Sequence, residues 1–321
     1  MAELITFGET PLRFSPLTAQ RLEVAREASI YADGTASNVA VTAQELGTDA
    51  LWLSKLPDTP LGRRVATQLE GQGIGTEVVW TDDDAHRQGL VFRESGAPPR
   101  RPRHVHDRSH TAAATAEPGE FPMERLQGGA VVFTGLSTAV LSEQAASTTE
   151  AMLRAASSGS AVTAADLDYS SGLAPPERYQ EVLHNISDEL DILIASEEAV
   201  EEALDRSAKP RELANIIASE HDLDIMVISR SEHGAVALHD SPGTNVIHER
   251  DAIEMDAVDP AGTHSAFAGA FLQQLIAGSD PARALSYAVA VASLVRTLPG
   301  PFLTTTAAEI EPLVDRVVEG S

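Results

Sequence analysis

Short apolar runs alternate with segments of helical periodicity along most of this 321-residue chain. Runs such as 4–8, 130–134 and 225–229 are almost continuously apolar, which is typical of strands covered on both faces. Apolar residues at helical spacing in segments such as 143–157 and 282–296 predict helices. The alternation therefore predicts a mostly parallel sheet with helices on both faces.

Two extended segments do not fit this alternation. Residues 11–33 and 88–110 are predicted to form a small β appendage, inserted within a single domain that spans residues 1–321. The part from 98 to 110 is rich in proline, arginine and histidine, and we interpret it as a mobile loop.

The chain is strongly acidic and poor in lysine. Its formal net charge is -25, and lysine occurs only at Lys55 and Lys209. This charge, together with the lack of basic clusters interleaved with aromatics, excludes a typical nucleic-acid-binding protein. An acidic surface suits concentrated salt, where a Debye length of about 3 Å screens self-repulsion.

The composition also limits the compartment and the kinds of site. The absence of cysteine excludes disulfides and thiolate metal sites. No stretch reaches the roughly 18 apolar residues of a transmembrane helix, and the N-terminus has no basic segment before an apolar core. We expect a cytoplasmic protein in a high-salt cytosol, with no membrane partner.

The segment 256–272 predicts a turn that leads into a helix. Asp259 and Pro260 end an extended run, Gly262 permits a sharp turn, and Ser265 can cap the helix. The free N–H groups and positive dipole of such a helix start suit a phosphate. The candidate anion-binding residues are Gly262, Thr263, His264 and Ser265. An ordinary loop-to-helix junction has the same pattern.

This segment resembles a signature of the ribokinase or PfkB family of carbohydrate kinases, D-T/P-x-G-A-G-D-x-F. The residues that fall on its frame are Asp259, Pro260, Gly262, Ala266 and Phe267. Thr263, His264 and Ser265 depart from it, and Ser265 occupies the position of the catalytic aspartate. The resemblance implies a ribokinase-like three-layer α/β/α domain with a mostly parallel central sheet and a small β-sheet lid.

A second motif agrees with this resemblance over nearly the whole chain. Residues 34–40, GTASNVA, resemble the family motif G-G-A-x-x-N-V-A, and Gly8-Glu9 resembles the start of the branch that includes 2-keto-3-deoxygluconate kinases. The substrate-binding candidates are Glu9, Gly34, Asn38 and Arg108. By itself Asn38 is also a common helix-start residue, and Arg108 is equally compatible with a solvated loop arginine.

Three further motifs of the family are recognisable but altered. Residues 166–170, DLDYS, correspond to D-x-N-x-R, so Ser170 replaces an arginine that binds sugar acids. Residues 196–199 correspond to N-x-x-E, with Ala199 in place of the glutamate, and Ser229 replaces the lysine of K-x-G-x-x-G. The nucleotide-binding candidates are Asp168, Ser196, Ser229, Ser231 and Gly234. Glu197, or Glu198, is a weak candidate for a metal ligand, and the alternative is acidic surface at a helix start.

The replacement at Ser265 bears directly on catalysis. A serine hydroxyl is a poor base, and the loss of general-base help costs typically about 10²–10⁴-fold in rate. His264 is the adjacent candidate for a substitute base, although neighbouring residues at a helix start point in different directions. A separate cluster, His104, His106 and His110, could bind a metal or could be a polar loop.

Two functions remain open from the sequence. The resemblance implies an ATP- and Mg²⁺-dependent kinase of a sugar or sugar acid, which forms a homodimer through the β lid. The alternative is a catalytically inactive relative that binds a sugar or nucleotide or acts as a regulatory protein. The combined replacements at Ser170, Ala199, Ser229 and Ser265 favour weak or absent activity.

Overall fold

The computed structural model describes residues 2–17, 20–82, 86–96, 100, 102–241 and 244–320. The strands are β1 (Leu4–Phe7), β2 (Leu12–Pro16), β3 (Ala28–Ala32), β4 (Ala50–Pro57), β5 (Gly75–Thr81), β6 (Leu90–Glu94), β7 (Arg103–Asp107), β8 (Val131–Gly135), β9 (Val162–Asp166), β10 (Ile192–Ser196), β11 (Ile225–Ser229), β12 (Ala235–Ser241) and β13 (Thr244–Arg250). The helices are α1 (Thr35–Glu45), α2 (Pro60–Glu70), α3 (Met123–Leu126), α4 (Leu136–Ala139), α5 (Glu143–Ser157), α6 (Pro176–Ile186), α7 (Glu197–Leu204), α8 (Pro210–His221), α9 (Thr263–Ile276), α10 (Pro281–Val295) and α11 (Ala307–Glu319).

A large, mostly parallel sheet forms the centre of the molecule. Its strand order across the described residues is β13-β12-β11-β10-β9-β8-β1-β4-β5. The pairs from β11 to β5 are parallel, whereas β12 is antiparallel to both of its neighbours. The predicted turn between β12 and β13 includes positions 242 and 243, which lie outside the described residues.

Helices cover both faces of this sheet, which makes three layers. Successive side chains of β1 point to opposite faces: Leu4 packs in a cluster with α1, α2 and α9–α11, and Ile5 packs in one with α3 and α5. Helices α6–α8 extend the second face. The predicted α/β/α architecture is confirmed.

The pair α1 and α9 packs closely because α9 contains a glycine at the crossing. A Cβ on Gly269 would lie 2.8 Å from Val39 O and 2.8 Å from Thr42 Cβ. Both helices follow turns that reach the same edge of the sheet, so this contact fixes the distance between two parts of the candidate site.

A smaller sheet lies apart from the central one, in the order β3-β2-β6-β7. Only β2 and β6 pair in parallel, and the other pairs are antiparallel. The interpretation of 98–110 as a loop is wrong for Arg103–Asp107, because these residues pair with β6, with Val105 opposite Phe92. Four of the five residues of β7 are polar, which suits an edge strand but gives no strand pattern in the sequence.

The carboxyl ends of the parallel strands meet at one edge of the larger sheet. Strands β8, β9, β10 and β11 end there at Gly135, Asp166, Ser196 and Ser229, beside the turn after β1. In open α/β sheets this edge is where ligands bind. No helix of the described chain combines the length and the apolar character that crossing a membrane requires.

Candidate functional site

A cavity of roughly 540 Å³ lies between this edge of the larger sheet and the smaller sheet. Its walls include Arg13, Val91 and His106 from the smaller sheet and Asp168 and Ser229 from the larger one. Every predicted site residue lines the cavity except Glu197. Glu198, the other residue considered for a metal, lines it instead.

The turn before α9 is shaped by Gly262, which has a left-handed conformation with φ of 74°. A Cβ at this position would lie 2.2 Å from Pro301 O, so the backbone requires glycine. Gly262 is also the N-cap residue, and Ser265 lies inside the first helical turn. The prediction that Ser265 caps the helix is therefore wrong, because the helix begins two residues earlier.

The side chain of His264 is held by two strands of the larger sheet. His264 Nε2 lies 2.9 Å from Asp166 Oδ1 and 2.8 Å from Asp166 Oδ2, and its Nδ1 lies 2.9 Å from Ser229 Oγ. Burial alone lowers the pKa of His264, but the charge and hydrogen bond of Asp166, with a further contribution from Asp168, raise that pKa above its ordinary value. Both ring nitrogens are thus engaged, which works against a role as a free base.

Asp166 and Asp168 extend this contact towards the start of α1. Asp166 is fully buried and accepts a 3.0 Å hydrogen bond from the backbone N–H of Asp168. Asp168 Oδ1 accepts a 2.6 Å bond from the Ser137 N–H, and Oδ2 accepts a 2.5 Å bond from Thr35 Oγ1. Burial, and then the charge of Asp166, raise the pKa of Asp168 to about 7, against the hydrogen bonds that favour the ionised form.

Glu9 and Arg108 form a buried ion pair on the other side of the cavity. Arg108 Nε donates to Glu9 Oε2 at 2.6 Å, and Nη2 donates to the Ser137 carbonyl at 3.2 Å. The side chains are only 2% and 6% exposed, so the alternative of a solvated loop arginine is wrong. Glu9 Oε1 is buried without a hydrogen-bond partner.

A network of four charged side chains was missed by the sequence interpretation. Arg13 Nη1 lies 2.7 Å from Asp33 Oδ2, and Arg93 Nη1 donates to Asp259 Oδ1 at 2.9 Å. Asp33 Oδ1 also accepts a 2.7 Å bond from Asn38 Nδ2. The only signal in the sequence was that the two arginines and Asp33 lie in the segments predicted to form the small β appendage, and that Asp259 lies in the motif at 256–272.

The same Asp259 shapes the turn before α9. Its Oδ1 accepts a 3.0 Å bond from the Ala261 N–H, and its Oδ2 accepts a 3.2 Å bond from the Gly300 N–H. The smaller sheet and the candidate anion-binding turn are therefore joined at one carboxylate.

His104 and His106 on β7 form a polar part of the cavity wall. Burial, the nearby Arg108 and His104 lower the pKa of His106 to about 4, and burial also lowers that of His104. His106 Nε2 lies 2.8 Å from Ser170 Oγ, at the position where the resemblance led us to expect an arginine. The described residues contain no group of three or more side chains suited to a metal, so the alternative of a histidine metal cluster gains no support.

The remaining candidates lie around the ends of β10 and β11. Ser196 caps α7 by accepting a 3.0 Å bond from the Ala199 N–H. Gly234 has φ of 87°, and a Cβ there would lie 1.9 Å from Arg250 O. Arg296, which sequence interpretation missed, also lines this part of the cavity and bonds to Glu232 at 3.1 Å.

Comparisons with known proteins agree with this geometry. A family model described as pfkB family carbohydrate kinase matches residues 1–307. The 2-dehydro-3-deoxygalactonokinase of Haloferax volcanii is 40% identical over 319 residues, which cover 99% of this chain and 97% of that protein.

Solved structures share the fold over almost the full length. The 2-dehydro-3-deoxygluconokinase of Thermotoga maritima superposes with a TM-score of 0.88 at 27% identity, covering 98% of this chain and 100% of that one. A fructokinase of Xylella fastidiosa with bound ATP has a TM-score of 0.80 at 18% identity, covers 98% of this chain and 99% of that one, and supports the fold alone.

Proposed function

Because the chain belongs to the pfkB family of carbohydrate kinases, we propose that it transfers the γ-phosphoryl group of ATP to a hydroxyl of a 2-keto-3-deoxy sugar acid. The family acts on small sugars with ATP and a divalent metal ion. The most specific support for a keto-deoxy acid is the 40% identity with the Haloferax volcanii 2-dehydro-3-deoxygalactonokinase.

This proposal is supported by polar atoms in the cavity wall that are buried without a hydrogen-bond partner. Arg13 is 3% exposed, and its Nε and Nη2 have no hydrogen-bond partner, although Nη2 lies 3.9 Å from Asp259 Oδ2. Glu9 Oε1 and Asn38 Oδ1 are likewise buried without a partner. Each such atom costs about 1–3 kcal/mol unless it is satisfied. A polyhydroxylated acid matches this set, with a carboxylate for Arg13 and hydroxyl donors for Glu9 and Asn38.

We propose that ATP occupies the other half of the cavity. The turn of residues 262–265 would receive its phosphates at the N-terminus of α9, with Ser196, Ser229, Ser231 and Gly234 beside the nucleotide. Magnesium is commonly bound through one or two carboxylates together with phosphate oxygens and water. The residues present fit that arrangement, and Glu198, which lines this half, is the carboxylate we assign to it.

A second function is favoured by one observation in this half of the cavity. Ser229 Oγ and His264 occupy positions where the family resemblance led us to expect a lysine and a glycine, and Ser265 replaces the aspartate. A protein that binds the sugar acid or the nucleotide without turnover would tolerate these changes. It would act as a sensor or a regulatory subunit.

ADP release in molar KCl separates the two functions. The native protein is assayed with ATP, Mg²⁺ and a panel of 2-keto-3-deoxygluconate, 2-keto-3-deoxygalactonate, gluconate, fructose and ribose. We expect turnover with one or both keto-deoxy acids and little with neutral sugars. Calorimetric binding of a keto-deoxy acid or of ATP without ADP release would instead support the binding function, and turnover confined to neutral sugars would contradict the substrate class.

We further propose a homodimer, formed through the smaller sheet as a lid, in a high-salt cytoplasm. The net charge of -25 supports the salt environment. Edge strand β7 exposes Val105, which is 41% accessible, at the edge of the smaller sheet. Light scattering in molar KCl should give twice the chain mass, and Val105→Glu should give the single-chain mass.

A further inference from the structure

Phosphoryl transfer to a hydroxyl needs a group that accepts the hydroxyl proton. Ser265 is an alcohol, and its lone pairs are far less basic than a carboxylate. His264 is bound at Nε2 by Asp166 and at Nδ1 by Ser229. Neither residue at the start of α9 therefore offers a free base, and the acceptor must come from another element of the cavity wall.

Among the described residues, four carboxylates line the cavity: Glu9, Asp33, Asp168 and Glu198. Glu9 is paired with Arg108 and Asp33 with Arg13, so each of these two carboxylates already has an arginine as its partner. Glu198 is exposed on α7, on the side assigned to the nucleotide. Asp168 is half-buried, and no ion pair joins it to an arginine, lysine or histidine of the described chain.

Asp168 also lies between the two halves of the cavity. Its side chain contacts Thr35, which adjoins the sugar-side Gly34, and the Ser137 N–H. Its backbone N–H contacts Asp166, which in turn holds His264 at the phosphate-side start of α9. A sugar hydroxyl that approaches a phosphate at that helix start would pass beside this carboxylate.

We propose that the Asp168 carboxylate is the catalytic base of this protein, in place of the serine at the start of α9. This inference rests on the proposed kinase function. In the reaction, the O–H bond of the sugar hydroxyl breaks and its proton goes to a carboxylate oxygen of Asp168. The sugar oxygen forms a bond to the γ-phosphorus of ATP, and the bond from that phosphorus to the bridging oxygen breaks, with its electron pair leaving on ADP. Asp168 then releases the proton to water.

The basicity of Asp168 agrees with this role. Burial and the charge of Asp166 raise the pKa of Asp168 to about 7, near the pH at which a general base is most effective. The other charged or titratable groups near it are His264 on α9, Tyr179 on α6 and Arg108 after β7. Arg108 is neutralised by Glu9, and His264 is paired with Asp166. Asp168 is thus able to titrate near neutral pH.

The first test is Asp168→Asn, with the exposed Asp315→Asn on α11 as a matched control. In molar KCl we expect kcat to fall about 10²–10⁴-fold for Asp168→Asn, with KM for both substrates within about threefold of native. The native kcat/KM should fall tenfold per pH unit below about pH 7, and the residual rate of the variant should not. A rate loss below about threefold, or an unchanged pH profile, would overturn the assignment.

The second test places the carboxylate back on α9. In the double variant Asp168→Asn with Ser265→Asp, we expect kcat to recover at least about tenfold from the single variant, because a base again faces the hydroxyl. A folded double variant that recovers nothing would show that Asp168 acts only in structure, and would overturn the assignment.

The third test does not depend on turnover. The infrared carbonyl band of a protonated carboxylic acid should titrate near pH 7 in the native protein and in Asp315→Asn, and it should be missing in Asp168→Asn. If no such band titrates between pH 6 and 8, the base assignment fails while the kinase function stands, provided ADP is released. If the native protein releases no ADP with any sugar acid, both proposals fail.

Discussion

His264 lies in the first turn of α9, at a position where the family motif has glycine. Its two side-chain contacts explain how the structure accommodates the larger residue. The ring bridges Asp166 at the end of β9 and Ser229 at the end of β11. It is 28% exposed, whereas Asp166 is fully buried. His264 is therefore the hydrogen-bond partner of a carboxylate that is buried away from solvent, and the raised pKa of His264 favours the protonated ring beside it.

Replacement of this histidine should destabilise the fold. We expect His264→Gly to lower the free energy of unfolding by about 1–3 kcal/mol, because Asp166 loses its charged hydrogen-bond donor. Denaturant unfolding in molar KCl measures the change. Asp166→Asn combined with His264→Gly is the control, since it removes the charge that needs a partner. If the double variant were no more stable than His264→Gly, the pairing would not explain the loss.

The pH dependence of stability follows from the same pair and from Asp168. The pKa of His264 is raised on folding, so its contribution is fully present below the unfolded pKa and is lost as pH rises through the folded pKa. The pKa of Asp168 is raised from 3.8 to about 7, so the folded state binds an extra proton between these values and stability falls as pH rises across them.

As the pH rises from about 4 to about 7, we therefore expect the free energy of unfolding to fall less in Asp168→Asn than in the native protein. The expected difference is a few kcal/mol, since each pKa unit corresponds to about 1.4 kcal/mol. Urea unfolding at several pH values, with Asp315→Asn as the control, provides the measurement. Identical slopes in the native protein and Asp168→Asn would contradict the raised pKa.

At the scale of elements, apolar packing and ion pairs together attach the smaller sheet to the rest of the molecule. Leu12 on β2 is fully buried in the main core cluster. Arg93 on β6 donates to Asp259 before α9, and Arg13 on β2 pairs with Asp33 before α1. Each ion pair joins the smaller sheet to a turn that precedes a helix beside the cavity.

Loss of one pair should therefore weaken sugar binding more than catalysis. We expect Arg93→Met to raise KM for the sugar acid about tenfold, with kcat changed by less than about threefold, because the site that has formed keeps its base and its anion-binding turn. The matched control is Arg103→Met on β7, an exposed arginine of the same sheet. Equal effects of the two substitutions would show that charge near the cavity, and not the ion pair, matters.

The sequence allowed the central sheet to be predicted more fully than the smaller one. Runs such as those of β1, β8 and β11 are long enough and apolar enough that burial dictates their conformation. Four of the five residues of strand β7 are polar, and its pairing with β6 depends on a tertiary contact that no local pattern encodes.

The candidate site likewise contains some residues that the sequence allowed us to predict and others that it did not. Motif positions such as Gly262 and Asn38 could be placed by their resemblance to known motifs, and both line the cavity. Arg13 and Arg93 were missed because their partners, Asp33 and Asp259, lie 20 and 166 positions away. Long-range pairing of charges is set by the fold, so the sequence alone could not reveal it.

For the whole molecule, the net charge of -25 sets the conditions in which the fold is stable. Self-repulsion among carboxylates opposes compaction at low ionic strength, and salt screens it. We expect the unfolding temperature to rise by at least roughly 5 °C between dilute buffer and molar KCl, which corresponds to about 3 kcal/mol in a chain of this size. Sorbitol at matched osmolarity is the control, and an equal rise in sorbitol would show that screening is not the cause.

The position of Asp259 has a consequence for how the two substrates bind. One of its oxygens holds Arg93 of the smaller sheet and the Ala261 N–H, and the other holds the Gly300 N–H beside the turn of α9. The smaller sheet and the turn before α9 are thus held by one carboxylate, so under the proposed function the sugar side and the phosphate side of the cavity share it. We expect positive heterotropic coupling, in which a bound sugar acid tightens a non-hydrolysable ATP analogue and the analogue tightens the sugar acid by the same factor. Titration calorimetry in both orders measures that factor, and it should approach unity in Arg93→Met.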